Sequence, residues 1–198
     1  MAAVDGDGRR RVLEAAEELF CDYGSHAVRM TQVRDQAGVS LARLYKLYPS
    51  KHQLMAAYLR AHGQRLRAGL SESVERCAPA PAGSRTRLLA AFDHMQKTVT
   101  APGFRGCAFV NARAELGGPG HERHPLVAEA VQEHKTLLRS YLTGLAGDFT
   151  DARGVGEQLH ILIEGAMVTS SILGADAARP ARDVACAALS VADGAREG

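Results

Sequence analysis

The chain has 198 residues, and its 24 Lys and Arg stand against 22 Asp and Glu, so the formal charge is only +2. That length buries a substantial core without disulfides or metals. Hydrophobic residues at 46% and charged residues at 23% exclude a disordered chain, and the near-neutral balance excludes a polybasic protein whose whole surface attracts polyanions. Aromatic residues are scarce, at 5% with no Trp, and a core built mainly of Ala, Leu and Val suits packed helices better than sheets.

A short Gly/Asp-rich leader precedes the first predicted helix, Arg9 to Tyr23, where Val12, Ala16, Leu19 and Phe20 recur at helical spacing and Gly24 ends the run. Thr31 is the expected cap of a second helix that reaches Ala37 and stops at Gly38. Ser40 caps a third, Leu41 to Leu47, which Pro49 prevents from continuing. Ser50-Lys51-His52-Gln53 has the form of a capping box and opens a fourth helix that runs to about Cys77. The linker APAPAG (78–83) follows, then a helix capped by Ser84 and reaching about Thr100. A short apolar piece, Cys107 to Leu116, leads into the loop GGPGHERHP. From Pro125, apolar residues keep helical period for about twenty positions. Asp151 caps a helix carrying Leu159, Leu162, Ile163, Ala166, Met167 and Ser170, which Gly174 closes, and an Ala-rich helix runs from about Pro180 to Ala195. No segment has strand period. The expected fold is all-α with about nine helices, a three-helix N-terminal unit followed by a larger helical body, divided as residues 1–53 and 54–198.

No apolar run approaches the ~18 residues that span a bilayer, and charges occupy the start, MAAVDGDGRRR, so the expected location is the cytoplasm. The dispersed Cys21, Cys77, Cys107 and Cys186 read as reduced structural thiols. His121-x-x-His124, with His134 and Cys107, is too weak a pattern for zinc, and no cofactor is expected.

The informative stretch is MTQVRDQAGVSLARLYKLYPSK, residues 30–51. Two short helices joined by a tight turn at Gly38 have the spacing of a helix-turn-helix, whose second helix enters the DNA major groove. Val33, Ala37, Val39 and Leu44 hold the helices together, which leaves Gln32, Ser40, Leu41, Ala42, Arg43, Tyr45 and Lys46 facing outward. Arg43 is the long donor of the recognition helix, suited to guanine O6 and N7, or otherwise to a phosphate or to solvent. Leu41 and Ala42 offer contact only to thymine methyls. Lys46 and Lys51 approach phosphates, Lys51 from a helix start that already favours an anion, and Thr31 and Gln32 sit at a similar start. Arg9, Arg10 and Arg11 form a cluster that reaches the DNA backbone or is a solvated face.

AGVS, then LY three residues on, then YPSK, behind a first helix ending in LFCDYG, resembles the TetR family of bacterial transcription regulators over residues 9 to about 60. FRGCAFVNARAE, with HP and EHK beyond it, is similar to a set of such regulators from actinobacteria. The resemblance makes Tyr45 a phosphate-binding tyrosine, with a packed aromatic as the alternative. It leaves Arg34, where the family often has Ala, either an extra DNA contact or an exposed helix residue. It further implies a small-molecule cavity in the body. Phe92, Met95, Phe109, Leu138 and Met167 lie on the helices lining that cavity, together with the polar Asn111, Glu115, His134, His160 and Glu164, as do Phe104 and Val110. Finally it implies a homodimer in which the last two helices pair across a twofold axis. The sequence supports that pairing independently, because the helix bearing Leu159, Ile163, Ala166, Met167 and Ser170 is apolar on more than one face and its partner, with Ala188, is Ala-rich.

The leading expectation is a non-enzymatic, dimeric DNA-binding regulator, a repressor released from operator DNA by a small apolar molecule. The alternatives are an effector-free architectural DNA-binding protein and, behind it, an enzyme using Cys107 with a histidine.

Overall fold

The computed structural model describes residues 2–116 and 124–194. Among them are nine α-helices: α1 (Ala2–Ala27), α2 (Met30–Ala37), α3 (Leu41–Leu47), α4 (Lys51–Cys77), α5 (Ser84–Thr100), α6 (Ala108–Leu116), α7 (Pro125–Leu145), α8 (Ala152–Leu173) and α9 (Arg179–Gly194), with a 3-10 turn at Ala175–Ala178. No described residue is in a strand, and no described helix is long and apolar enough to cross a membrane. His121 and most of the GGPGHERHP stretch lie outside the described residues.

Most boundaries follow local chemistry. Ser40 Oγ accepts the Arg43 N–H at 3.2 Å and Asp151 Oδ1 accepts the Gly154 N–H at 2.8 Å, as the caps predicted for α3 and α8 require. Gly24, at φ 75° and ψ 153°, breaks the path of α1 where a stop was expected, and one more turn follows to Ala27. Three starts differ from expectation. The helix begins at Ala2 rather than Arg9, because Asp7 holds Arg10 at 2.8 Å and Arg11 at 3.2 Å, and Arg10 reaches Glu14 at 3.0 Å, pairings that support polar helical turns. Thr31 does not cap α2. Its cap position is Arg29, whose N–H donates to Gln32 Oε1 at 2.7 Å, so the third helical side chain reaches back over the start. Ser84 lies inside α5, where its N–H donates to Asp148 Oδ2 at 2.7 Å and its Oγ accepts the Asp148 N–H at 3.0 Å, so the partner comes from the end of another helix pair.

The chain forms two compact units. The first comprises residues 1–63 with 108–134, and the second residues 64–107 with 135–198. In the first, Val12, Ala16, Phe20, Val28, Val33, Leu44, Leu54, Leu59 and Phe109 are buried. Tyr58 stands edge-on to Phe20 at 5.6 Å, and His134 stacks on Phe109 at 3.7 Å with an interplanar angle of 3°. In the second, Leu70, Val74, Leu88, Phe92, Leu142, Leu159, Ile163 and Leu189 form a continuous apolar core.

Candidate nucleic-acid interface

The α2–α3 pair is set by Gly38, which takes the left-handed conformation at φ 62° and ψ 41°. Its N–H and that of Val39 donate to the carbonyls of Asp35 and Arg34, and Arg11 Nη1 donates to the Ala37 carbonyl at 3.3 Å. Val33, Ala37, Leu44 and Leu47 turn inward. Thr31, Gln32, Ser40, Leu41, Ala42, Tyr45 and Lys46 are exposed, so the outward face expected of a recognition helix is present, with Arg43 half-buried at its edge. Leu41 and Tyr45 are 38% and 45% accessible, unusual exposure for large apolar bodies on a seven-residue helix.

The flanks are built from α1 and α4. Arg10 is exposed and its ion pairs with Asp7 and Glu14 are exposed too, so they cost little to exchange for phosphate. The Arg9 guanidinium lies 5.5 Å from the centre of the buried Tyr48 ring, and burial raises the pKa of that phenol. Ser50 Oγ accepts the Gln53 N–H at 3.2 Å, which opens α4 as the sequence predicts. Lys51, at its first position, donates from Nζ to the His26 carbonyl at 3.2 Å. Burial lowers the Lys51 pKa, and the field of Glu115 partly offsets this.

The residues expected around an effector separate into the two units. Asn111, Glu115, Phe109 and His134 belong to the first, and Phe92, Met95, Leu138, His160, Glu164 and Met167 to the second. Glu115 is committed to its own unit. Its Oε2 accepts from Ser25 Oγ in a short bond and from the His26 N–H at 2.9 Å, directly beneath the kink at Gly24. These two bonds clamp the end of α1. Phe109 and His134 are buried against each other, while Phe92 and Met95 are buried in the core of the second unit.

Glu164 and His160 lie in a polar group that the sequence did not assemble. Lys135 Nζ makes a short hydrogen bond to Glu164 Oε2 and lies 3.3 Å from Cys107 Sγ. His160 Nε2 is 3.5 Å from Glu164 Oε1, an ion-pair distance without hydrogen-bond alignment, so both buried atoms lack a hydrogen-bond partner. Burial alone would raise the Glu164 pKa, but His160 and the Lys135 ammonium overcome it and hold the carboxyl at about 2. Cys107 thus meets a lysine, whereas the enzyme alternative pairs it with a histidine. Among the described residues no group of three or more His, Cys, Asp or Glu is placed to hold a metal.

The residues expected at a dimer interface lie on α8 and α9. Leu159, Ile163, Ala166 and Ser170 are buried within the chain's own second unit, and Met167 and Ala188 are half-buried. On the other side of α8 the apolar Ile161 (72% accessible), Val168 and Ile172 (74%) are left exposed, as are Leu173 at the end of that helix and Val184 and Val191 (76%) on α9.

An all-helical chain with a left-handed glycine between two short helices, the second presenting Tyr, Lys and small residues outward, is a helix-turn-helix protein. Residues 12–58 match the family described as bacterial regulatory proteins, tetR family. The HTH-type transcriptional activator FasR of Mycolicibacterium smegmatis is 34% identical over 88 residues, 44% of this chain and 40% of FasR. The HTH-type transcriptional regulator RutR of Escherichia coli K12 is 38% identical over 52 residues, 26% of this chain and 24% of RutR. The matched part thus spans less than half the length of these curated relatives. A TetR-family transcriptional regulator from Streptomyces coelicolor superposes with a TM-score of 0.73 at 26% identity, covering 91% of this chain and 97% of that one. Residues 12–58 thus match the tetR family, and the described chain shares its fold with a TetR-family regulator of known structure.

Proposed function

We propose that the chain is a homodimeric transcription regulator that binds double-stranded operator DNA through α2, α3 and the start of α4, and that a small molecule releases it. The observation that carries the reading is the outward face of α3 behind the Gly38 turn, with Tyr45 and Lys46 exposed on it and Arg10 exposed on α1. In this reading Gln32, Ser40, Leu41, Ala42 and Arg43 meet base edges or sugars, Thr31, Tyr45, Lys46 and Arg10 meet phosphates, and Lys51 acts chiefly by fastening α1 to α4. Residues 1–53 carry the DNA contacts and residues 54–198 the effector response and pairing.

The exposed apolar stripe of Ile161, Val168, Ile172, Val184 and Val191 supplies the twofold interface, because an apolar patch of that kind gains by covering. The effector reading rests on the second unit, where the buried His160 Nε2 and Glu164 Oε1 lack hydrogen-bond partners beside an apolar core, so a mostly apolar molecule with one or two polar groups suits it. Release requires that the effector prefer an arrangement whose recognition helices do not match successive major grooves, ~34 Å apart. Operator DNA must then weaken the effector by the factor by which effector weakens DNA. Repression is the proposed sign of control, and FasR, named as an activator, makes that sign a quantity to measure.

The test is selection of duplexes from random DNA with the whole chain, followed by titration of the selected operator and a screen of small molecules for release. Enrichment of a palindromic site supports the reading. Binding that stays equal for random and selected DNA refutes it.

A further inference from the structure

On the outward side of α3 one residue departs from its expected exposure, and it is Arg43. It approaches the first turns of α1. A Cβ at Gly8 would stand 3.2 Å from Arg43 Nε and 3.3 Å from Nη2, with Leu47 Cδ1 at 3.5 Å. The guanidinium edge therefore lies where a side chain at position 8 would begin. Gly8 makes no turn, for it lies inside α1, where glycine is less favourable than alanine, and it is buried. Close approach of Arg43 and Leu47 accounts for it. The same turns are fastened around that contact: Asp7 pairs with Arg10 and Arg11, Arg11 reaches the Ala37 carbonyl at the end of α2, and Arg9 lies over Tyr48 just past α3.

We propose that Gly8 is a specificity-determining residue of DNA reading. By leaving room for the Arg43 guanidinium, it sets the direction in which that donor edge leaves α3, and a side chain at position 8 redirects it. The inference rests on the proposed entry of α3 into the major groove, with Arg43 reading a base. Arg43 supplies the hydrogen bonds, and Gly8 acts only through it as a positioning residue.

The experiment compares DNA selected by the whole chain with that selected by Gly8→Ala, Arg43→Ala and the double variant. Arg43→Ala relaxes preference at one base pair per half-site, by about fivefold to 150-fold. Gly8→Ala changes preference at that same base pair by about fivefold or more, leaves the other positions alone, and adds nothing once Arg43 is gone. Unfolding gives a readout without DNA: because the added methyl and the guanidinium compete for one space, Gly8→Ala raises the thermal midpoint more in the Arg43→Ala background than in the parent. A parent that selects no sequence overturns the DNA-reading proposal and this inference with it. A parent that selects a site while Gly8→Ala selects it unchanged overturns this inference alone. So do an Arg43→Ala variant with every base preference intact and equal midpoint gains in the two backgrounds.

Discussion

Glu115 offers the sharpest test, because its geometry gives it a structural duty where the sequence suggested effector binding. Replacing it with Ala removes the acceptor of the Ser25 hydroxyl and of the His26 N–H, and takes a carboxylate from the neighbourhood of the half-buried Lys51. Ser25 is 4% accessible, so its hydroxyl gains little from water, and the loss of a bond to a charged acceptor costs about 1.5 to 3 kcal/mol. His26 is exposed and water replaces most of its bond, so about 0.5 to 1 kcal/mol is added there. The sum, about 2 to 4 kcal/mol, corresponds to a fall of roughly 5 to 15 °C in the thermal midpoint of a chain this size. Glu115→Gln, which keeps an oxygen in place without the charge, falls by less. The assay is denaturant and thermal unfolding followed by helical circular dichroism, with no small molecule present. An Ala variant within about 0.5 kcal/mol of the parent refutes the clamp, since an effector contact has no reason to stabilise the empty protein.

Charging the exposed apolar stripe, as in Ile161→Arg combined with Ile172→Arg, yields folded monomers by sedimentation, whereas Ala166→Arg unfolds the second unit because that position is buried. Operator affinity falls steeply with salt, at about −0.9 in log K per log[salt] for each neutralised phosphate, and Lys46→Ala lowers the slope by about one per subunit while weakening all sequences alike. Glu164, held at about 2 against an ordinary 4.5, contributes stability that is complete above pH 4.5 and is lost as pH falls from there toward 2; Glu164→Gln flattens that acid limb in pH-dependent unfolding. His52 has its pKa lowered by burial, by the stacked His124 ring at 3.6 Å and by Lys51, so the folded state resists its protonation. Stability therefore declines as pH falls below 6.5, and His52→Gln makes that decline shallower.

What could be read from the chain alone was whatever a few consecutive residues decide. Gly38 and Ser40 define the turn and the start of α3, Asp151 and Gly174 bracket α8, and the stripe of Val12, Ala16 and Phe20 marks the buried side of α1, because caps, left-handed glycines and helical period act within one or two turns. The family motif lies in the same short stretch, so the helix-turn-helix and its outward face were legible together. Contacts between residues far apart in the chain were not. Glu115 meets Ser25 ninety positions away, Lys135 meets Glu164, and Arg43 folds onto Gly8, and no local pattern distinguishes a carboxylate that clamps a helix end from one that awaits a ligand. On α8, apolar on more than one side, period alone could not say which side turns inward. The packing of α5 and α9 against Leu159, Ile163 and Ala166 made that choice, since a helix with two apolar faces buries whichever one its neighbours cover and leaves Ile161, Val168 and Ile172 outside.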